Sequence, residues 1–316
     1  MLDFGNYGPP TQRRRRGGGM PMAISVVALC LLTGVLIVTR PWQSRSASAT
    51  VQNPASAGQA RQSAVTSVSP LSEGACIDST ASTVTSFAAS VRGDLASAVA
   101  SLGPTGPVPT KPIDPSGSGP LSVPQPGVSL RVRQVDTASL SSTPTLYNSV
   151  VSVPGVFGLT AREPAPGSNN YTTAMSTWNE QYNQVSSSRA AARSAAAKAS
   201  KTLAGLPLDD NQQAMSAISA CVSGLLTTVP HAGSQRFLLA SDLQENETAQ
   251  LTGSFHGAPL LIIQACDSGD VSYCGGLLSR FKGEMRRLDV GPITVVRPEN
   301  AQQAIYQWVH GLEVTS

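Results

Sequence analysis

Asp78-Ser79-Thr80-Ala81-Ser82 sets a carboxylate two residues before one hydroxyl and four residues before another. Oxygen donors at that spacing can wrap a single hard cation, and Mg2+ takes such ligands at about 2.0–2.1 Å while keeping several waters. The D-x-[ST]-x-S pattern alone carries little, since chance yields it roughly 0.3 times in a chain of this composition. Its neighbourhood adds more. Gly74-Ala75-Cys76-Ile77 is a short apolar run that ends at Asp78, and an amphipathic helical pattern follows. Much later, Phe237-Leu238-Leu239-Ala240 is a second apolar run, ending at Ser241-Asp242. Each acid also has a plainer explanation. Asp78 suits a helix N-cap region with its Ser and Thr neighbours, and Asp242 suits a loop start satisfied by backbone N–H groups.

Other chemistries find less support. His231, His256 and His310 share no metal-ligand spacing in sequence. Ser79 lies in no G-x-S-x-G elbow, so a hydrolase triad is not indicated. Gly17-Gly18-Gly19 reads as a juxtamembrane linker and not as a phosphate-binding loop. Arg280, Lys282, Arg286 and Arg287 share a helical pattern with an apolar stripe and read as its solvated face. No Cys-x-x-Cys occurs, which removes zinc ribbons and thioredoxin-like centres.

The elements that must position the acids are legible in the periodicity. Phe87, Val91, Leu95, Val99 and Leu102 recur at helical spacing. Residues 103–127 hold eight prolines and read as an exposed excursion. Val128, Leu130 and Val132 alternate as in a strand up to Val135, and residues 147–157 give a weaker strand. From Tyr171 a helical pattern runs through Trp178, Tyr182, Val185 and an Ala-rich stretch to Leu206. At about 35 residues that is roughly 50 Å of helix. Asn211 to Leu226 reads as another helix. Three strand–helix units close the chain. Their strands are 237–240, 259–263 and 293–296, and the last two are followed by helices carrying Tyr273, Leu277, Phe281, Met285 and Leu288, then Ala304, Ile305, Trp308 and Leu312. Continuous apolar strands alternating with amphipathic helices predict an α/β fold, an open and mostly parallel sheet with helices on both faces. In such sheets ligands bind at the carboxyl ends of the strands.

With Asp78, Thr80 and Ser82 after one strand and Asp242 after another, residues 71–316 resemble the von Willebrand factor type A domain family. That family begins with a strand running into D-x-S-x-S, its metal-ion-dependent adhesion site, and later has an apolar strand ending in an acidic residue of the same metal shell. The resemblance implies a Mg2+ or Mn2+ site built from Asp78, Thr80, Ser82 and Asp242, with Thr80 replacing the first Ser. It also implies adhesion, in which a partner protein's carboxylate takes the open position on the ion. The family's Thr before the later strand has no match. That loop reads Leu206-Pro207-Leu208-Asp209-Asp210-Asn211, which leaves two alternatives: Asp209 or Asp210 substitutes as an oxygen ligand, or the site is incomplete and metal-free.

Residues 21–39 are 19 residues without a charge. At about 1.5 Å per residue they reach roughly 28 Å, enough for a hydrocarbon core. Arg13–Arg16 precede this run, Arg40 and Trp42 follow it, and the positive-inside rule then keeps residues 1–20 cytoplasmic. The expected organisation is a basic tail (1–20), one transmembrane signal-anchor helix (21–39), a flexible Ser/Ala/Gln-rich linker (40–70) and an extracytoplasmic domain (71–316). A cleaved signal peptide is the rival, with Ala47-Ser48-Ala49 as a small-x-small site set far beyond the apolar run. Five of the arginines sit in residues 1–40, against one aspartate, so the remainder carries a net −1 out of the chain's +3. A nucleic-acid binder needs a basic face on its folded part, and that class is set aside. Arg outnumbers Lys 18 to 4, the composition of a GC-rich bacterial source.

Cys30 falls inside the apolar run. Cys76, Cys221, Cys266 and Cys274 remain for an oxidising compartment, with three possible connectivities. Cys266 and Cys274 flank one short polar loop and are the favoured pair, leaving Cys76 with Cys221. The expected function is a membrane-anchored protein-binding module, adhesive or scaffolding, within a bacterial envelope, secretion or conjugation assembly. Its partners are an unidentified protein and, through residues 21–39, the lipid bilayer. The alternative is an extracytoplasmic metal-dependent hydrolase using Asp78 and Asp242.

Overall fold

All six segments with strand character form strands in the computed structural model, which describes residues 68–79, 85–114, 116–135, 149–206, 217–231, 233–244, 250–266 and 271–315. The chain divides into two units, Met1–Gly58 and Gln59–Ser316, and every described residue belongs to the second. Residues 21–39 lie outside this set. Among the described residues no helix is long and apolar enough to cross a membrane.

In chain order the elements are β1 (Leu71–Asp78), α1 (Thr85–Ser101), β2 (Val128–Val135), β3 (Ser149–Val153), α2 (Tyr171–Ala204) and α3 (Ile218–Thr228). They continue with β4 (Ser234–Ser241), β5 (Leu260–Gln264), α4 (Val271–Arg287), β6 (Ile293–Val296) and α5 (Ala301–Val309). The sheet order is β3-β2-β1-β4-β5-β6, and all neighbours run parallel except β3, which pairs antiparallel with β2. Alternation along the strands splits the core in two. Ala75, Ile77, Leu130, Leu238 and Ile263 point into a cluster covered by α1, α2 and α5. Cys76, Phe237, Leu239 and Ile262 point into the opposite cluster, with α3 and α4. The fold is α/β, with helices on both faces of a mostly parallel sheet.

Strand β1 lies at the centre, and all eight of its residues are buried. A Cβ added at Gly74 would sit 2.9 Å from a methyl of Val229, so the absence of a side chain lets the end of α3 approach the strand. The disulfide Cys76–Cys221 joins β1 to α3 across 6.2 Å between Cα atoms. By loop-closure reasoning a link closing 145 residues stabilises by about 4–5 kcal/mol. The second pair, Cys266–Cys274, joins the segment after β5 to the first turn of α4.

The 34 residues of α2 span about 51 Å, more than the sheet needs, and the two halves do different work. Ala192, Ala196, Ala199 and Leu203 pack into the sheet core. Val185 instead packs with Val108, Leu121 and Leu159 in a satellite cluster. Arg189 donates to the carbonyl oxygens of Thr105, Gly106 and Pro107 at 2.6–3.3 Å, and the Gln181 amide oxygen accepts the N–H groups of Thr160 and Ala161. The proline-rich excursion is therefore not merely exposed. It is a small second layer that gives the first half of α2 something to bury, and Val108 and Leu121 are its anchors.

Smaller departures have local causes. α3 begins at Ile218 among the described residues, and 207–216, including Asp209 and Asp210, lie outside them. α5 ends at Val309 because Gly311 turns the chain with a φ of 71°. Leu312, expected on its apolar stripe, is exposed. Tyr273 is likewise half exposed at the start of α4.

One buried charge stands out. Glu73 is 1% exposed in mid-β1, and neither carboxylate oxygen has a hydrogen-bond partner among the described residues. Its register partner on β4 is Arg236, whose guanidinium donates instead to the carbonyls of Gly311 and Leu312. Burial pushes the Glu73 carboxyl well above its ordinary range, with Arg236 opposing the shift. A raised folded-state value means that the folded chain binds this proton more tightly than the unfolded chain. Stability from this group is thus present below the unfolded value of about 4.3 and is lost as pH rises through the folded one. Glu73→Gln is expected to be more stable than wild type at pH 7 by on the order of 1–2 kcal/mol, with the gap closing near pH 4. Urea denaturation of both chains across pH 4–8 checks this, and a constant gap would contradict it.

Candidate functional site

The chain leaves β1 toward β2 on one side, and later places β4, β5 and β6 on the other. Strand order reverses between β1 and β4, which is where an open α/β sheet leaves a crevice beyond its carboxyl ends. The register Ile77↔Ala240 sets Asp78 beside Ser241, with Asp242 one residue further on. Two acids 164 positions apart in sequence therefore share one strand-end edge. Adjacent strands lie about 4.8 Å apart, so the sheet fixes this proximity before any side chain chooses a rotamer.

Asp78 is fully buried, and the Ser241 hydroxyl donates to its Oδ2 at 2.6 Å. The same hydroxyl oxygen accepts the Leu243 N–H at 2.9 Å. Asp242 is 2% exposed, and its Oδ1 accepts the Gln244 N–H at 2.9 Å. Leu243 between them has a φ of 64°, a left-handed conformation that a leucine adopts only at a cost. Together these contacts fold residues 241–244 into a tight turn that holds Asp242 at the strand end. The Ser241 carbonyl accepts the Ala265 N–H at 3.0 Å, which ties β4 to the segment leading to Cys266. Gln264, beside Ser241 in the sheet, donates to the Cys274 carbonyl at 3.1 Å. On the other flank Gln134, near the end of β2, donates to the Ser79 hydroxyl. The rim is polar across the ends of four strands, and the Cys266–Cys274 link, with 6.1 Å between Cα atoms, closes one side.

Of the four expected ligands, Asp78 and Asp242 lie at the ends of neighbouring strands, while Thr80 and Ser82 lie outside the described residues. Among the described residues no three His, Cys, Asp or Glu side chains converge. The three imidazoles all lie at the opposite end of the sheet. His231 and His256 precede β4 and β5, and His310 follows α5 and meets the hydroxyl of Ser101, the last residue of α1. Beside the Asp242 turn a cavity of about 470 Å3 opens between Leu243 and α4, with Arg280, Glu284 and Arg287 on its walls. Two cations of the helix face expected to be merely solvated thus border this cavity.

A second copy of the motif was missed from sequence. Asp114-Pro115-Ser116-Gly117-Ser118 has the same D-x-S-x-S spacing, inside the proline-rich excursion. Here the Ser116 N–H and hydroxyl and the Ser118 hydroxyl all donate to the Asp114 carboxylate. Those bonds, Ser116 foremost, hold the exposed carboxyl below its ordinary range. The spacing alone builds a self-satisfied loop. Asp78 differs in lying at a strand end with a second acidic strand end beside it.

Comparison with protein-family models, with curated proteins and with solved structures finds no match for this chain.

Ser241, to which the sequence reading assigned no role, donates a hydrogen bond to the buried Asp78 carboxylate. Ser241→Ala removes a donor from a buried carboxylate and an acceptor from the Leu243 N–H. It should destabilise the fold by about 1–3 kcal/mol in urea denaturation. A change under about 0.5 kcal/mol would show that Asp78 is held by other groups.

Proposed function

We propose that this chain is a membrane-anchored, extracytoplasmic protein-binding module of von Willebrand type A-like architecture. Its crevice between β1 and β4 holds one Mg2+-class ion. The observation that carries the reading is the placement of Asp78 and Asp242 on neighbouring parallel strand ends at the point where the strand order reverses. The resemblance drawn from sequence requires these two acids to serve one shell, and their position on adjacent strands supports that reading. The donor set suits a hard cation, being carboxylate and hydroxyl oxygen with no imidazole or thiolate. Carboxylates held together at a buried edge repel each other, and a divalent ion relieves that repulsion. Asp78 and Asp242, with Thr80 and Ser82, are the residues that would hold the ion. Bound there, it would offer an open position to a carboxylate of a partner protein.

Binding is favoured over hydrolysis because histidine, the most frequent general base, is placed away from this edge. All three histidines of the chain lie at the far end of the sheet. The uncharged 19-residue run at 21–39 and the arginines before it support the anchor and an N-terminus in the cytoplasm. We extend this reading to a place in an envelope, secretion or conjugation assembly.

Calorimetric titration with Mn2+ tests the reading. Wild-type chain should take up one ion, and Asp78→Ala and Asp242→Ala should each abolish uptake while keeping a cooperative unfolding transition. Flat and identical titrations for all three chains would reject it.

A further inference from the structure

We propose that the opposite end of the sheet carries a second, chemically distinct metal site, in which His231 and His256 bind one borderline transition ion of the Zn2+ class. The two imidazoles come from loops 25 residues apart in sequence, yet their ring centres lie 4.9 Å apart with planes at 90°. An ion bonded to two imidazoles at Zn–N distances near 2.0–2.1 Å, with a tetrahedral angle between them, sets the ring centres about 5 Å apart. The observed separation, which is also that of an edge-to-face ring contact, is compatible with a shared ligand pair.

Both loops are fixed by buried neighbours. Phe255 is fully buried, packs edge-on against Phe237 at 5.0 Å, and donates its N–H to the Leu288 carbonyl at 2.8 Å. The next residue, His256, holds a φ of 50°, an unusual conformation outside glycine that projects it from this anchor. His231 follows Val229, which is buried and closes α3 with its N–H on the Leu225 carbonyl. The two rings border an open depression of about 770 Å3, with Gly233, Ser234, Gly257 and Pro259 around it, which leaves room for waters to complete the coordination.

Gln235 supplies an outer contact. Its side-chain amide lies 3.0 Å from His231 Nδ1. When the amide oxygen faces the ring it accepts the Nδ1 proton and frees Nε2 for the metal, the arrangement that orients most ligating histidines. In the structure the amide nitrogen faces the ring and lies within hydrogen-bond distance of His231 Nδ1 and of the Val229 and Pro230 carbonyls. Metal binding thus requires the amide to turn. Imidazole nitrogen selects Zn2+, Ni2+ or Cu2+ over Mg2+, so this site and the carboxylate site at the other end of the sheet take different ions.

Titration with Zn2+ in excess Mg2+ tests the assignment, using the full-length chain with Cys30→Ser to remove the one cysteine outside the two disulfides. One Zn2+ per chain is expected. His231→Ala and His256→Ala should each weaken binding at least tenfold without lowering the melting temperature, since both side chains are exposed. Gln235→Glu should tighten binding by about tenfold, because a carboxylate accepts the Nδ1 proton without turning. Absence of uptake by the parent chain, or wild-type affinity in either histidine variant, overturns the site. A Gln235→Glu chain that binds no more tightly overturns Nε2 of His231 as the ligand atom.

Discussion

Everything in this fold is arranged around the burial of β1. It lies between β2 and β4 and beneath helices on both sides, and none of its eight residues keeps a solvent-exposed face. A strand in that position must be short in side-chain volume on the side where a helix comes closest, hence Gly74 under the end of α3. It must also end where the sheet order reverses, hence Asp78 at the crevice. Its central place makes β4 its neighbour, and the register Ile77↔Ala240 sets Ser241 beside Asp78 with Asp242 one residue further on.

Covalent and polar links hold this arrangement at its carboxyl end. Cys76, two residues before Asp78, is fixed to α3, and Cys266 and Cys274 brace the far side of the same rim. Between them Ser241 connects three groups: its hydroxyl meets Asp78 and the Leu243 N–H, and its carbonyl meets the Ala265 N–H. Fixing donors before a ligand arrives lowers the ordering cost of binding. The amino end of the strands is built differently. There Arg236 reaches the carbonyls after α5, and paired imidazoles from two loops take the place of carboxylates.

Much of this was legible in the sequence because burial writes a pattern. The runs ending at Asp78 and Asp242, the strand 128–135 and the long helix from Tyr171 all have one dominant period, and each appears within a few residues of its expected bounds. Both cysteine pairs also matched the favoured connectivity. What could not be read was pairing that depends on tertiary placement. Val108 and Leu121 lie in a stretch whose prolines argue for exposure, and only the free half of α2 makes them core. Glu73 looks like a surface residue until its strand proves to be central. His231 and His256 share no spacing in sequence because the turns before β4 and β5, and not a helix face, bring them together. The second D-x-S-x-S at Asp114 makes the converse point: its spacing is complete, but its hydroxyls are spent within its own loop.

The central claim is that the crevice between the ends of β1 and β4 is a cation site. Diffraction from crystals of the chain grown with Mn2+, recorded at a wavelength where manganese scatters anomalously, tests it most directly. The account predicts an anomalous peak within bonding distance, about 2.2 Å, of carboxylate oxygen from Asp78 or Asp242 or of a water they hold. Ordered density for both carboxylates with no anomalous peak between the two strand ends would contradict it.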